Sequence, residues 1–148
     1  MKKVLLVVLV FALVFVSVPV LADDDYNGFE TVNIRINGEV VNIPAEYGAV
    51  IIVENRTMVP VRFVSQFLGF EVDWDGDSGT VIFANRTDTV VLRIGLDRLL
   101  VNTENIQMDV VAMIYDNRTY IPIRFFAESI GFEVDWDEAT QTVLLDNE

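Results

Sequence analysis

The sequence predicts an α+β fold, and three observations carry that expectation. Residues 55–82 and 117–144 are two copies of one unit, NRTMVPVRFVSQFLGFEVDWDGDSGTVI and NRTYIPIRFFAESIGFEVDWDEATQTVL, lying 62 positions apart, ungapped and identical at 15 positions. Within each copy a helical period gives way to a period of two directly after a glycine. Upstream of each copy lies further β-type sequence, and the Asn37-Gly38 pair between alternating residues is a strong hairpin signal. Duplicated units usually stack or pair to bury a face that neither can bury alone. The expected architecture is therefore two similar halves, each a mainly antiparallel β-sheet packed on one short α-helix.

Met1-Lys2-Lys3, the apolar run Val4 to Val16 and a looser tail ending at Ala22 read as a signal peptide, residues 1–22, with Val20 and Ala22 suited to a leader-peptidase site. The competing reading is a retained anchor, because the stretch from Val4 to Ala22 comes close to the length that spans a bilayer as a helix. Pro19 and the short apolar stretch favour cleavage. Asp23-Asp24-Asp25 then opens a flexible acidic segment, residues 23–30, before the first repeat at 31–86 and the second at 87–148. These halves form either two lobes or one compact domain.

In the first half, Val32 to Ile36 and Val40 to Ile43 flank the Asn37-Gly38 turn. The second half answers more weakly with Thr89 to Ile94, a turn near Leu96-Asp97-Arg98, and Leu99 to Val101. The runs Val50 to Val53 and Val110 to Ile114 read as buried strands. Asn55, Asn85 and Asn117 each open an Asn-Arg-Thr sequon, which turn chemistry explains better than glycosylation.

Each helix is bracketed by Pro60 and Gly69, or by Pro122 and Gly131, the residues that suit a first turn and a left-handed stop. Phe63, Val64, Phe67 and Leu68 make one apolar face, and Phe125, Phe126 and Ile130 the other. The polar faces are Arg62, Ser65 and Gln66, and Arg124, Ala127 and Glu128, the arginine and glutamate of the second being spaced for a helix ion pair. After the glycine, Phe70, Val72 and Trp74 alternate with Glu71, Asp73 and Asp75, the mark of a half-buried strand. Gly76 to Gly79, or Glu138 to Thr140, turns the chain into Thr80 to Ala84, or Thr142 to Asp146.

Loss of the leader would remove the chain's two lysines and leave eight arginines against 23 carboxylates, a net charge of about −15. Such a surface repels nucleic acid and anionic membrane, so neither is an expected partner. Without cysteine there is no lipid-modified anchor and no disulfide, and without histidine there is no imidazole chemistry, zinc site or type-2 copper site. No catalytic residue is assigned and no cofactor is expected.

The carboxylate pairs Asp73/Asp75 and Asp135/Asp137 occupy the solvent face of a strand running into a turn, where acids are commonplace, so they are not read as a hydrolytic pair. Asp73, Asp75 and Asp77 resemble the start of a calcium loop, but the glycine falls one position late and Ala84 stands where a bidentate glutamate belongs. They remain a weak calcium candidate beside the favoured reading, a plain hairpin. Trp74 and Trp136 are candidate sugar-stacking platforms, although their phase with Phe70/Val72 and Phe132/Val134 predicts core packing. Arg62 and Arg124 are candidate anion clamps, although pairing with strand carboxylates of their own units is favoured.

The run Asn-Arg-Thr-x-[Val/Ile]-Pro-[Val/Ile]-Arg-Phe, then Gly-Phe-Glu-Val-Asp-Trp-Asp and a later Thr-Val, resembles the repeat of the copper amine oxidase N-terminal domain-like family, also called the stalk domain. The resemblance covers nearly all of the chain beyond the leader. It implies a secreted or surface domain of Gram-positive-type bacteria, often joined to wall hydrolases or other exported modules, with a sheet wrapped around a helix. Oxidases of that name bind copper through histidines in a separate catalytic domain, so the resemblance implies no oxidase or copper activity for a histidine-free chain. The functional expectation is a non-catalytic, extracellular or cell-surface stalk domain acting through cell-envelope or protein–protein contacts. The alternative is a module binding peptidoglycan or polysaccharide through Arg62, Arg124, Trp74 and Trp136. Exposed strand edges would also permit self-association.

Overall fold

The computed structural model describes residues 28–147, so the expected signal peptide and most of the acidic segment lie outside the described residues. The described chain begins with β1 (Glu30–Ile36) and β2 (Glu39–Val40), joined by Asn37 and Gly38, which both take positive φ as the tight hairpin requires. A short 3₁₀ turn, Ala45–Tyr47, leads to the hairpin of β3 (Val50–Val53) and β4 (Arg56–Pro60). Its turn residues, Glu54 and Asn55, are again left-handed, and Asp116 and Asn117 repeat that geometry in the second copy. Asn85 also shapes a turn, its side-chain oxygen accepting from the amides of Thr87 and Asp88.

Pro60 ends β4 in an extended conformation and delivers the chain straight into α1 (Val61–Leu68), which stops at the left-handed Gly69. Then come β5 (Glu71–Asp75) and β6 (Thr80–Ala84). The next strands are β7 (Thr89–Arg93), β8 (Arg98–Val101) and β9 (Glu104–Gln107). The second copy repeats the series with β10 (Met113–Tyr115), β11 (Arg118–Pro122), α2 (Ile123–Ser129), β12 (Glu133–Asp137) and β13 (Thr142–Asp146). The fold class is α+β, mostly sheet with two short helices.

Among the described residues the strands form two sheets, and the sheets draw on both halves of the sequence. The larger runs β10-β11-β4-β3-β1-β13-β12, with β2 also on β1. The smaller is a meander, β5-β6-β7-β8-β9, in which β6 of the first copy pairs with β7 of the second half from Thr80 to Ala84. The C-terminal β13 in turn lies parallel to β1, from Asn33 opposite Thr142 to Ile36 opposite Leu145. Each sheet therefore combines strands of both halves, where one sheet per half was the simpler expectation.

The two copies meet at β4 and β11. These strands pair antiparallel with Val59 opposite Ile121, its own counterpart in the other copy, flanked by Met58 opposite Pro122 and Pro60 opposite Tyr120. A residue facing its own equivalent across an antiparallel pair defines a local two-fold axis between them. The flanking hairpins obey it: Ile51 faces Met58 and Met113 faces Tyr120, and each of these pairs is the repeat equivalent of the other.

One large hydrophobic cluster joins the sheets and both helices, and it contains Val59, Phe63, Val64, Phe83, Ile121, Phe126 and Leu145. Phe126 of α2 sits edge-on to Phe70 (5.4 Å) and Phe83 (4.9 Å), so the second copy's helix packs on residues of the first. A smaller cluster of Ile51, Met58, Val110 and Tyr120 covers the other face of the central hairpins.

Three further expectations need correction. Residues 110–112 are not strand; Val110 and Ala112 are buried, but pairing begins only at Met113. Ala127 belongs to the buried face of α2, because a small side chain there lets the helix approach the core closely. A second two-residue hairpin lies at Asn102-Thr103, between β8 and β9, and it shares with Asn37-Gly38 only the positive φ of its first residue, 53° at Asn102. β7, which its order along the chain would match to β1, is instead an additional strand ahead of that hairpin.

Candidate functional site

Two grooves lie on either side of the junction between the copies, and corresponding residues line them. In the first, Pro122, Arg124 and Trp136 of the second copy meet Asn55, Arg56 and Thr57 of the first, around a cavity of about 540 Å³. In the second, Pro60, Arg62 and Trp74 of the first copy meet Asn117, Arg118 and Thr119 of the second, around about 510 Å³. Every one of these six positions maps onto its partner groove by the offset of the repeat. Each groove is therefore composite: one copy gives the helix start and tryptophan, the other the Asn-Arg-Thr turn. Both volumes fall in the range of about 300–1,000 Å³ usual for ligand clefts.

The tryptophans are on the surface. Trp74 is 44% and Trp136 37% exposed, which corrects the expectation of core packing. The inward phase itself is correct, since Trp74 stands opposite buried Val81 and Trp136 opposite buried Val143. Exposure nevertheless rises from buried Phe70, just ahead of β5, through half-buried Val72 to Trp74, which lines the open groove beside Val61 and Arg62 at the start of α1. Alternation gives the face of a sheet but not how far the opposing layer extends. Trp136 donates its indole N–H to Glu138, which fixes the ring by its edge.

The arginines also depart from expectation. Arg124 does bond to Glu128 within its helix at 3.1 Å, the predicted i, i+4 pair, but its strand contact is the carbonyl oxygen of Val134 at 2.9 Å, not a carboxylate. Arg62 lies with its guanidinium carbon 5.6 Å from the centroid of the Tyr47 ring, in cation–π range. Tyr47 comes from the 3₁₀ turn of the first half and lines the second groove, as does Glu46.

Arg56 and Arg118 are groove residues that the sequence reading does not single out, although the repeat itself marks them. Arg56 forms a bidentate pair with Asp109, which lines the first groove, and this contact holds the Asp109 carboxyl below the ordinary carboxylate range. Arg118 instead pairs with Asp116 of its own turn at 2.6 Å and contacts the carbonyl of Glu46. The grooves thus share a plan and differ in their acids: Glu30, Asp109, Asp135 and Glu138 in the first, Glu46 and Asp116 in the second.

The calcium candidates form a hairpin. Asp75 accepts from the Ser78 hydroxyl at 2.7 Å and from the Asp77 amide at 3.1 Å, which hold its carboxyl below the ordinary range, and Asp73 accepts from the next amide along, that of Trp74. No group of three or more acidic side chains placed to hold a metal ion occurs among the described residues. Nor is any described helix long and apolar enough to cross a membrane. A separate apolar row, Ile82-Val91-Leu100, runs across the outer face of the meander on neighbouring strands and is half-exposed or exposed throughout.

The sequence model of the copper amine oxidase N-terminal domain matches residues 35–145, most of the chain and both copies of the repeat. No curated protein matches the chain.

Proposed function

We propose, from the premise that this chain belongs to the copper amine oxidase N-terminal domain family, that it works as an exported, non-catalytic stalk and binding domain making contacts at the cell envelope. The carrying observation is the pair of composite grooves, in which an exposed tryptophan and two arginines recur at equivalent positions. Residues that only stabilise a repeat have no need to expose an indole twice, since a large apolar ring left in water forgoes its burial energy. The leader reading of residues 1–22 supports export, and the acidic surface supports solubility outside the cell.

The reading has a direct test. Protein purified from a secreting host is incubated with cell walls stripped of protein, and the walls are sedimented. The binding domain co-sediments, and its mass is that of a chain without residues 1–22; protein that stays in the supernatant rejects wall attachment. A second reading, a protein partner, is favoured by the Ile82-Val91-Leu100 row, whose flat apolar surface suits a macromolecular contact. Leu100→Glu separates the two, because it leaves wall sedimentation intact if the grooves make the contact.

A further inference from the structure

We infer that each groove is a glycan subsite, so that one chain carries two quasi-equivalent but unequal sites for a neutral pyranose chain, each assembled from both repeats; this rests on the binding reading above. The two-fold relation is the first argument. Trp74 and Trp136, Arg62 and Arg124, and Arg118 and Arg56 come to equivalent places only because β4 and β11 pair with Val59 opposite Ile121. A single repeat has half of each site.

The side chains specify the ligand class. An exposed indole offers a flat apolar face to the C–H face of a sugar ring. Around it, arginine N–H groups donate to ring and hydroxyl oxygens, while carboxylates accept from sugar hydroxyls. Charge selects against an acidic polymer. The chain carries a net −13, and Glu30, Asp135 and Glu138 add carboxylates to the first groove, where Arg56 is already committed to Asp109. A uronate or phosphate chain would meet net repulsion there, whereas a neutral glycan finds donors and acceptors together.

The two sites differ in a way that sets their order. Each groove sets a second aromatic ring beside its indole, Phe125 in the first and Tyr47 in the second, but only Tyr47 carries a hydroxyl, lies against an arginine and stands among fewer acids. The second groove is expected to bind the same sugar more tightly.

The test is calorimetric titration of the whole chain with cellotriose, with the trimer of N-acetylglucosamine, and with an oligogalacturonate as the anionic probe. The inference expects two binding events per chain for at least one neutral trimer. Trp74→Ala removes the tighter event and Trp136→Ala the weaker, each by at least about tenfold in affinity, and Trp→Phe at either position retains part of it. Circular dichroism and the unfolding midpoint of each variant separate loss of the site from loss of the fold, and Trp→Phe, which keeps a ring in place, gives the comparison if an alanine variant unfolds. A single event per chain, tighter binding of the oligogalacturonate, or unchanged titrations in the Trp74→Ala/Trp136→Ala double variant would overturn the inference. If no trimer binds while the protein still sediments with cell walls, the glycan subsites fall and envelope attachment stands. If sedimentation fails too, both fall.

Discussion

Gly48 is tightly constrained by its surroundings. It takes φ 95°, a region that L side chains rarely adopt, and a Cβ there would lie 2.5 Å from the Tyr120 hydroxyl and 2.9 Å from Cδ of Arg118. Gly48→Ala should destabilise the protein by about 1–3 kcal/mol, read as a lower midpoint in urea at unchanged slope. The two tryptophans differ from a core ring in degree: their replacement by alanine should cost less stability than emptying a fully buried aromatic site, because 44% of Trp74 and 37% of Trp136 is already exposed. Those residues also mark where sequence reasoning stops. Phase puts Trp74 and Trp136 on the inner face, which is correct. It cannot show that the inner face opens into a groove at the end of each strand, and so alternation alone reads a surface pair as core. Arg56 and Arg118 are visible as identical residues of the repeat, but their convergence on the other copy's tryptophan depends on a pairing that no local pattern encodes.

At the scale of elements, the helices and hairpins are legible because their signals are local. Pro60 and Pro122 open the helices, Gly69 stops the first in a left-handed turn, and Thr80 to Ala84 and Thr142 to Asp146 pair over the whole predicted span. The strand β9 and its turn at Asn102 escape notice, since Asn102-Thr103 lacks the glycine that makes Asn37-Gly38 conspicuous. The core side of α2 carries the largest expected effect of a single substitution. Phe126→Ala empties a fully buried site touching Phe70 and Phe83 and should cost about 3–5 kcal/mol, measured by thermal or chemical unfolding. The hairpin turns are acid-labile by the same local logic. Asp75 is held below its ordinary pKa by the Ser78 hydroxyl and the Asp77 amide, and Asp137 by its hydrogen bond from Thr140. A carboxylate whose folded pKa is depressed contributes stability that is present above its unfolded pKa and is lost as pH falls through the folded value. Unfolding midpoints should therefore hold steady through neutral pH and drop only as pH falls into and below the ordinary carboxylate range. Asp75→Asn should reduce the size of that drop, because one depressed carboxyl no longer titrates.

Across the whole molecule, the duplication produces interlocked sheets. β1 closes on β13, β6 continues into β7, and α2 lies on Phe70 and Phe83, so neither half of the sequence holds a complete sheet. Unfolding should be a single transition, with tryptophan fluorescence and far-ultraviolet dichroism superimposing; two separated transitions would mean that the halves fold independently. The repeat reveals two equivalent units, and their equivalence survives at the β4/β11 junction, where it matters for the grooves. Apolar patterning cannot tell self-contained lobes from interleaved ones, because both bury the same faces.

That the paired tryptophan grooves are the binding surface can be tested with one spectrum. The chain contains two tryptophans, so its ¹⁵N-correlated spectrum has two indole N–H signals, one for each groove. On titration with soluble cell-wall glycan fragments, both indole signals are expected to move, at different ligand concentrations. Two indole signals that stay fixed while amides of the Ile82-Val91-Leu100 row shift, or a spectrum that does not change, would contradict the claim.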